Sequence, residues 1–157
     1  MKIKGFTLIL VYTLILLGCK EDNFLESEEI MISLTESVGI GANNGESWIY
    51  AVELPYFDIS SYPNIRSVVM TVNNIRTRDA SGNDVTGKGS FELYDITNDK
   101  PIANSIIESD DTEENSYKAS ANFINDMPGE RIKLGIRISS NGDYTIDCSH
   151  IYLILSR

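Results

Sequence analysis

Reactive side chains are scarce in this sequence. It has one histidine, His150, and two cysteines, Cys19 and Cys148, in 157 residues. So few soft ligands argue against a zinc site, which draws chiefly on Cys and His. Cys148 and His150 stand two apart, so on a strand they share a face. Neighbours on one strand project side by side, however, and do not converge as a nucleophile and its base must. The acid pairs Asp110-Asp111 and Glu113-Glu114 are adjacent in a polar stretch, whereas glycoside hydrolysis needs two carboxylates facing each other across a cleft. A protein without catalytic activity is therefore expected. Cations are also in short supply: Lys and Arg number 13 against 23 Asp and Glu, for a net charge of −10. That balance repels phosphate backbones and argues against a nucleic-acid partner. Long apolar runs are missing too. The longest, residues 5–18, falls short of the roughly 20 residues a membrane-spanning helix needs. No helical period follows it.

What is present begins at the N-terminus. Met1-Lys2-Ile3-Lys4 is basic, residues 5–18 are apolar apart from Thr7, Tyr12 and Thr13, and a glycine then precedes Cys19. Basic start, short apolar run and small residue form a secretory signal. Leu16-Leu17-Gly18-Cys19 resembles a bacterial lipobox. The resemblance implies that the Cys19 thiol carries diacylglycerol, that the chain is cut before Cys19, and that the new amino terminus takes a palmitate-type acyl chain. Each buried CH₂ contributes about 0.8 kcal/mol, so one chain anchors marginally and two or more anchor stably. Lys20-Glu21-Asp22, followed by Glu26, Glu28 and Glu29, resembles the export tract of Bacteroidota surface lipoproteins. That resemblance implies display on the outer face of the outer membrane. Loss of residues 1–18 would remove Lys2 and Lys4 but no acid, leaving 139 residues and a net charge of −12. With Cys19 lipidated, Cys148 has no partner for an internal disulfide and reads as a small buried apolar residue.

The expected organisation is a signal at 1–18, a lipidated acidic tether at 19–29, and one β domain at 30–157. Within that domain the signals are strands and turns. Residues 30–34 and 47–54 are apolar, aromatic and β-branched; 65–77 reads as one long strand; 90–96 and 102–108 follow. Residues 117–123 place Tyr117, Ala119, Ala121 and Phe123 on one face. Ile132, Leu134, Ile136 and Ile138 alternate with Arg131, Lys133, Gly135 and Arg137, a half-buried strand. Asn141-Gly142 is a hairpin signal. In the last strand the apolar parity shifts between Cys148 and Ile151, which a bulge near Ser149-His150 or cover on both faces would reconcile. Roughly eight strands at spacings of about 8–12 residues indicate an all-β, antiparallel sandwich.

From "SFELYDITNDKPIANS" through "MPGERIKLGIRISSNGDYTIDCSHIYLILSR" the chain resembles jelly-roll sandwich modules of bacterial surface and carbohydrate-associated proteins. The resemblance implies a jelly-roll β-sandwich and, for many such modules, glycan binding; others bind proteins or only build structure. The aromatic residues Trp48, Tyr50, Tyr56, Phe57 and Tyr62 are the candidate sugar platform, with Asn43, Asn44 and Asp58 as polar partners. Calcium is a candidate ligand of the 79–84 loop, through Asp79, Ser81, Asn83 and Asp84. That loop offers oxygens at alternating positions but departs from the EF-hand spacing. Two functions are expected to compete: a non-catalytic binding module for a glycan or surface protein, and a structural component of a surface complex with no small-ligand site. An exposed aromatic platform would favour the first. A long uncharged edge strand or a large apolar patch would favour the second.

Overall fold

The computed structural model describes residues 28–35, 40–54, 56–110 and 117–157. The signal, Cys19, the Lys20-Glu21-Asp22 tract, Pro55, Asp111 and the Glu113-Glu114 pair lie outside the described residues. Among those described, the strands in chain order are β1 (Glu29–Ser33), β2 (Ile40–Asn43), β3 (Ser47–Ala51), β4 (Ser67–Asn73), β5 (Arg76–Arg78) and β6 (Gly89–Asp95). There follow β7 (Lys100–Pro101), β8 (Ile107–Ser109), β9 (Tyr117–Ala119), β10 (Leu134–Ser140), β11 (Thr145–Cys148) and β12 (His150–Ser156). Every pairing is antiparallel.

One sheet runs β1-β12-β4-β9. The second runs β3-β10-β6, with β7 and β8 both on the far edge of β6. A small third sheet, β2-β11-β5, carries on from the first. Taken in chain order, β1, β3, β4, β6, β8, β9, β10 and β12 change sheet at every step except β6 to β8. This is the jelly-roll path of two interleaved Greek keys. Eight main strands therefore agree with the sequence reading; β5 and β11 are pieces of expected longer strands, and β2 is a further short strand in a glycine- and asparagine-rich stretch.

The splitting has a local cause. The expected strand at 65–77 breaks at Asn74, whose φ is +53°, a left-handed conformation that Asn tolerates. The last strand breaks beside it, at Ser149. The Asn74 side-chain amide donates to Ser149 Oγ at 2.7 Å, and Ser149 N–H donates to Asn73 O at 3.1 Å. Both neighbouring strands thus bend at one place, and their distal halves form the third sheet. The break resolves the parity shift: Ile146 and Cys148 on one side of it and Ile151, Leu153 and Leu155 on the other are all buried.

The core is one cluster between the two main sheets. Val68, Met70 and Val72 of β4 lie opposite Leu155, Leu153 and Ile151 of β12. Phe91 and Leu93 of β6 lie opposite Ile138 and Ile136 of β10. The alternation of Ile132, Leu134, Ile136 and Ile138 is buried as expected. The quoted "YDITN" turn is pinned by Asp95, which is fully buried and accepts from Asn98 N–H at 3.1 Å and from the Asn98 amide at 2.8 Å. Thr97 Oγ1 accepts from Lys133 N–H at 2.8 Å, which ties this turn to the approach of β10.

Three expectations need correction. Residues 117–123 do not bury one apolar face: Tyr117, Ala119 and Ala121 are exposed, and only Phe123 is buried. The reason is the edge of β4. Past β9, Ser120 Oγ accepts from Met70 N–H and Asn122 Oδ1 from Val68 N–H, each at 3.0 Å, so polar side chains turn inward to close the ladder. The strand expected at 102–108 shrinks to β8, because Ile102 instead closes the turn after β7, donating to Leu93 O at 2.9 Å. Asn141-Gly142 makes no hairpin. It carries the chain from β10 to β11, which belong to different sheets.

Candidate functional site

Two grooves are built on the edge strand β3 and the loop that follows it. Along β3 and its two flanking residues, Glu46, Trp48, Tyr50 and Val52 hydrogen-bond toward β10, as the Val52 N–H to Leu134 O bond at 3.1 Å and the Ser140 N–H to Glu46 O bond at 3.0 Å fix. Trp48 and Tyr50, two apart, therefore share a face and stand about 7 Å apart along the strand. Both sit at the open side of the sandwich, where β3 passes β2. Gly41 keeps β2 close: a Cβ there would strike Ile146 O of β11. The Tyr50 hydroxyl donates to Gly41 O at 2.5 Å, so its ring is half-buried and fixed. Trp48 remains 48% exposed, with its indole N–H donating to Glu46 Oε2 at 3.2 Å.

The first groove, about 350 Å³, has Trp48 and Tyr50 on one wall and Asn43, Thr145 and Asp147 on the other. Arg78 donates to Asp147 Oδ1 at 3.3 Å. Burial pushes the Asp147 carboxyl above its ordinary range, and the Arg78 and Arg76 guanidiniums oppose that shift. The arrangement presents a flat aromatic face opposite an amide, a hydroxyl and a carboxylate. Small-ligand sites combine such an apolar wall with a few polar groups.

The second groove, about 260 Å³, is lined by Leu54, Tyr56, Phe57, Asp58, Ser61, Tyr62 and Arg131. Phe57 is buried, not part of an open platform. It bridges to Ile132 and stacks on half-buried Tyr62 with ring centroids 5.7 Å apart. Tyr56 is 53% exposed, and the Arg131 guanidinium lies 4.4 Å from its ring centroid. Asp58 caps the 3₁₀ turn Ile59–Ser61, accepting from Ser60 N–H at 2.9 Å and Ser60 Oγ at 2.6 Å. Those two bonds hold its carboxyl below the ordinary range. A larger hollow of about 420 Å³, around Lys88, Ser90, Glu108, Asp110 and Asn141, contains no aromatic side chain.

The five aromatic candidates thus fall into two places. Trp48 and Tyr50 form one groove; Tyr56, Phe57 and Tyr62 form the other. Asn43 does reach the first groove, Asn44 lines neither, and Asp58 reaches the second. Thr145, Asp147 and Arg131 were not singled out from the sequence. The first two arrive through the non-local pairing of β11 with β2, which no local pattern announces. Arg131 had a signal: it follows Pro128-Gly129, so it sits where the chain enters β10 rather than within the strand.

In the 79–84 loop, Asp79 Oδ1 accepts from Ser81 N–H at 2.8 Å and Asn83 N–H at 2.9 Å, and Asp79 Oδ2 from the Asn83 amide at 3.1 Å. The Asn83 bonds hold the Asp79 carboxyl below its ordinary range. Asp84 pairs with Arg76 at 2.9 Å. Calcium here would compete with these internal partners. Among the described residues, no three His, Cys, Asp or Glu side chains are grouped to hold a metal. Cys148 is 1% exposed, its thiol pushed up to about 12 by burial first and Asp147 second. The strand break at Ser149 ends any shared face with His150, whose Nδ1 meets Ser149 Oγ at 2.9 Å.

No family model and no curated protein matches this chain. A solved chain from the structure of infectious bursal disease virus Gx strain is similar, at 10% identity and a TM-score of 0.37. The matched region covers 83% of this chain and 32% of that one, so this chain spans about a third of its neighbour's length. The fold assignment rests on strand order: this chain is an all-β, antiparallel sandwich of jelly-roll topology.

Proposed function

We propose that this protein is a lipid-anchored, non-catalytic binding module that holds a glycan against Trp48 on the outer face of the outer membrane. The observation carrying the reading is the groove of Trp48 and Tyr50 opposite Asn43, Thr145 and Asp147. A pyranose presents C–H groups on one face and hydroxyls around its edge. The C–H face stacks on the indole while amide, hydroxyl and carboxylate take the edge. Trp48 is 48% exposed, so its ring is available to a stacking partner. Anchor and address are carried by Leu16-Leu17-Gly18-Cys19 and by Lys20-Glu21-Asp22.

A second reading, assembly without a small ligand, draws on the outer face of the first sheet. There Met31 is 66% and Tyr117 61% exposed. A glycan array probed with the mature protein in detergent, with and without calcium, separates the two. We expect binding that Trp48→Ala reduces by about tenfold or more, consistent with loss of a stacking ring plus its buried area. Circular dichroism would verify that the variant stays folded. Silence across a broad array would transfer the case to assembly, with cross-linking on live cells as the next step.

A further inference from the structure

We propose that the second groove receives a carboxylate-bearing sugar ring of the bound glycan, with Arg131 as the partner of the carboxylate. The inference rests on the glycan reading above and names one chemical feature of the ligand.

Arg131 is conspicuous for what it does not do. Arg76, Arg78, Arg137 and Arg157 each hold a carboxylate, of Asp84, Asp147, Glu92 and Glu28. The Arg131 side chain makes no ion pair or hydrogen bond among the described residues, in a chain where 23 acids face 13 bases. Arg66 shares that freedom but lines neither groove. The one carboxylate beside Arg131 in its groove, that of Asp58, takes both Ser60 bonds on Oδ1 and feels the Arg131 charge without forming an ion pair with it.

The Arg131 guanidinium carbon lies over the Tyr56 ring, 4.4 Å from its centroid, and its N–H donors have no protein partner among the described residues. Those donors form a planar fork that matches a carboxylate with two parallel bonds. Stacking also restricts the fork before any ligand arrives, so less freedom is lost on binding. Phe57 stacks on Tyr62 within the pocket lining, which also carries the polar groups of Asp58, Ser61 and Arg131. At about 260 Å³ it falls below the roughly 300–1,000 Å³ of pockets for drug-sized ligands, which suits one ring.

The test is calorimetric titration of the mature protein in detergent with two matched oligosaccharides, chosen from glycans the array retains. One carries a neutral hexose and the other the corresponding uronic acid. A peptide with a free C-terminal carboxylate is the third probe. The acidic glycan should bind about tenfold more tightly than the neutral one, as two charge-assisted bonds allow. Arg131→Gln should erase that preference and leave affinity for the neutral glycan within about twofold, whereas Trp48→Ala should weaken both glycans alike. Equal affinity for the two glycans, or a preference that survives Arg131→Gln, overturns the carboxylate assignment and leaves the glycan reading standing. A peptide that binds as well as the acidic glycan overturns the sugar assignment. Failure of both glycans to bind removes the reading beneath the proposal and the proposal with it.

Discussion

A Cys19→Ser variant should be left unprocessed or unanchored and should incorporate none of a palmitate analogue. The expected change is close to all-or-none, because on the lipobox reading the anchor and the maturation step depend on the same sulfur. Oxygen in place of that sulfur removes the nucleophile that lipid transfer needs. The apolar run at 5–18 is too short to anchor as a comfortable transmembrane helix in its place. Acyl chains supply about 0.8 kcal/mol per buried CH₂, so on that reading their loss would remove the main attraction of a strongly acidic protein to a membrane. Labelling of cells followed by fractionation reads both effects, and unchanged labelling would refute the lipobox assignment. Protease added to intact cells addresses the Lys20-Glu21-Asp22 tract: digestion of the wild-type protein is expected, and full protection would place it on the periplasmic side.

The second large effect is on stability. Phe91→Ala should cost about 3–5 kcal/mol, a sizeable share of the 5–15 kcal/mol that holds a typical domain together. Phe91 is fully buried, pairs across strands with Ile138 on one side and Ile107 on the other, and belongs to the single core cluster. Removing its ring empties the space between the sheets at a point fixed from both edges, where the backbone cannot collapse inward. Tyr117→Ala is the matched comparison, because Tyr117 is 61% exposed and should change stability by no more than about 0.5 kcal/mol. Thermal unfolding should lower the midpoint by roughly 10–20 °C for the first variant and barely move it for the second. Similar losses for both would mean that the inward and outward faces have been misassigned.

Those two positions also show what the sequence could and could not reveal. Strands buried against a regular partner write their register openly: Ile132, Leu134, Ile136 and Ile138 alternate because β10 runs through the middle of its sheet. The parity change between Cys148 and Ile151 was legible for the same reason, and it marked the true break at Ser149. Edges obey other demands. At 117–121 the apolar residues face water because Ser120 and Asn122 close hydrogen bonds on β4, and satisfying backbone groups outweighs burying two alanines; only Phe123 is buried. Aromatic content flagged the right stretch for the candidate site, but not the burial of Phe57, which follows from its bridge to Ile132, 75 positions away. The polar wall was illegible for a related reason. Asp147 and Thr145 meet Trp48 only through strand pairing between distant segments, and a composition rich in acids gives no hint which carboxylate lines a groove.

Trp48 is the only tryptophan in the chain, so the central claim carries its own reporter. The most direct measurement is its fluorescence during titration with a glycan retained on the array. Covering a ring that is 48% exposed should shift its emission to shorter wavelength and shield it from acrylamide quenching, with the half-point of both changes matching the calorimetric affinity. A glycan that saturates the protein while the emission and quenching of Trp48 stay constant would place the binding site elsewhere and contradict the account.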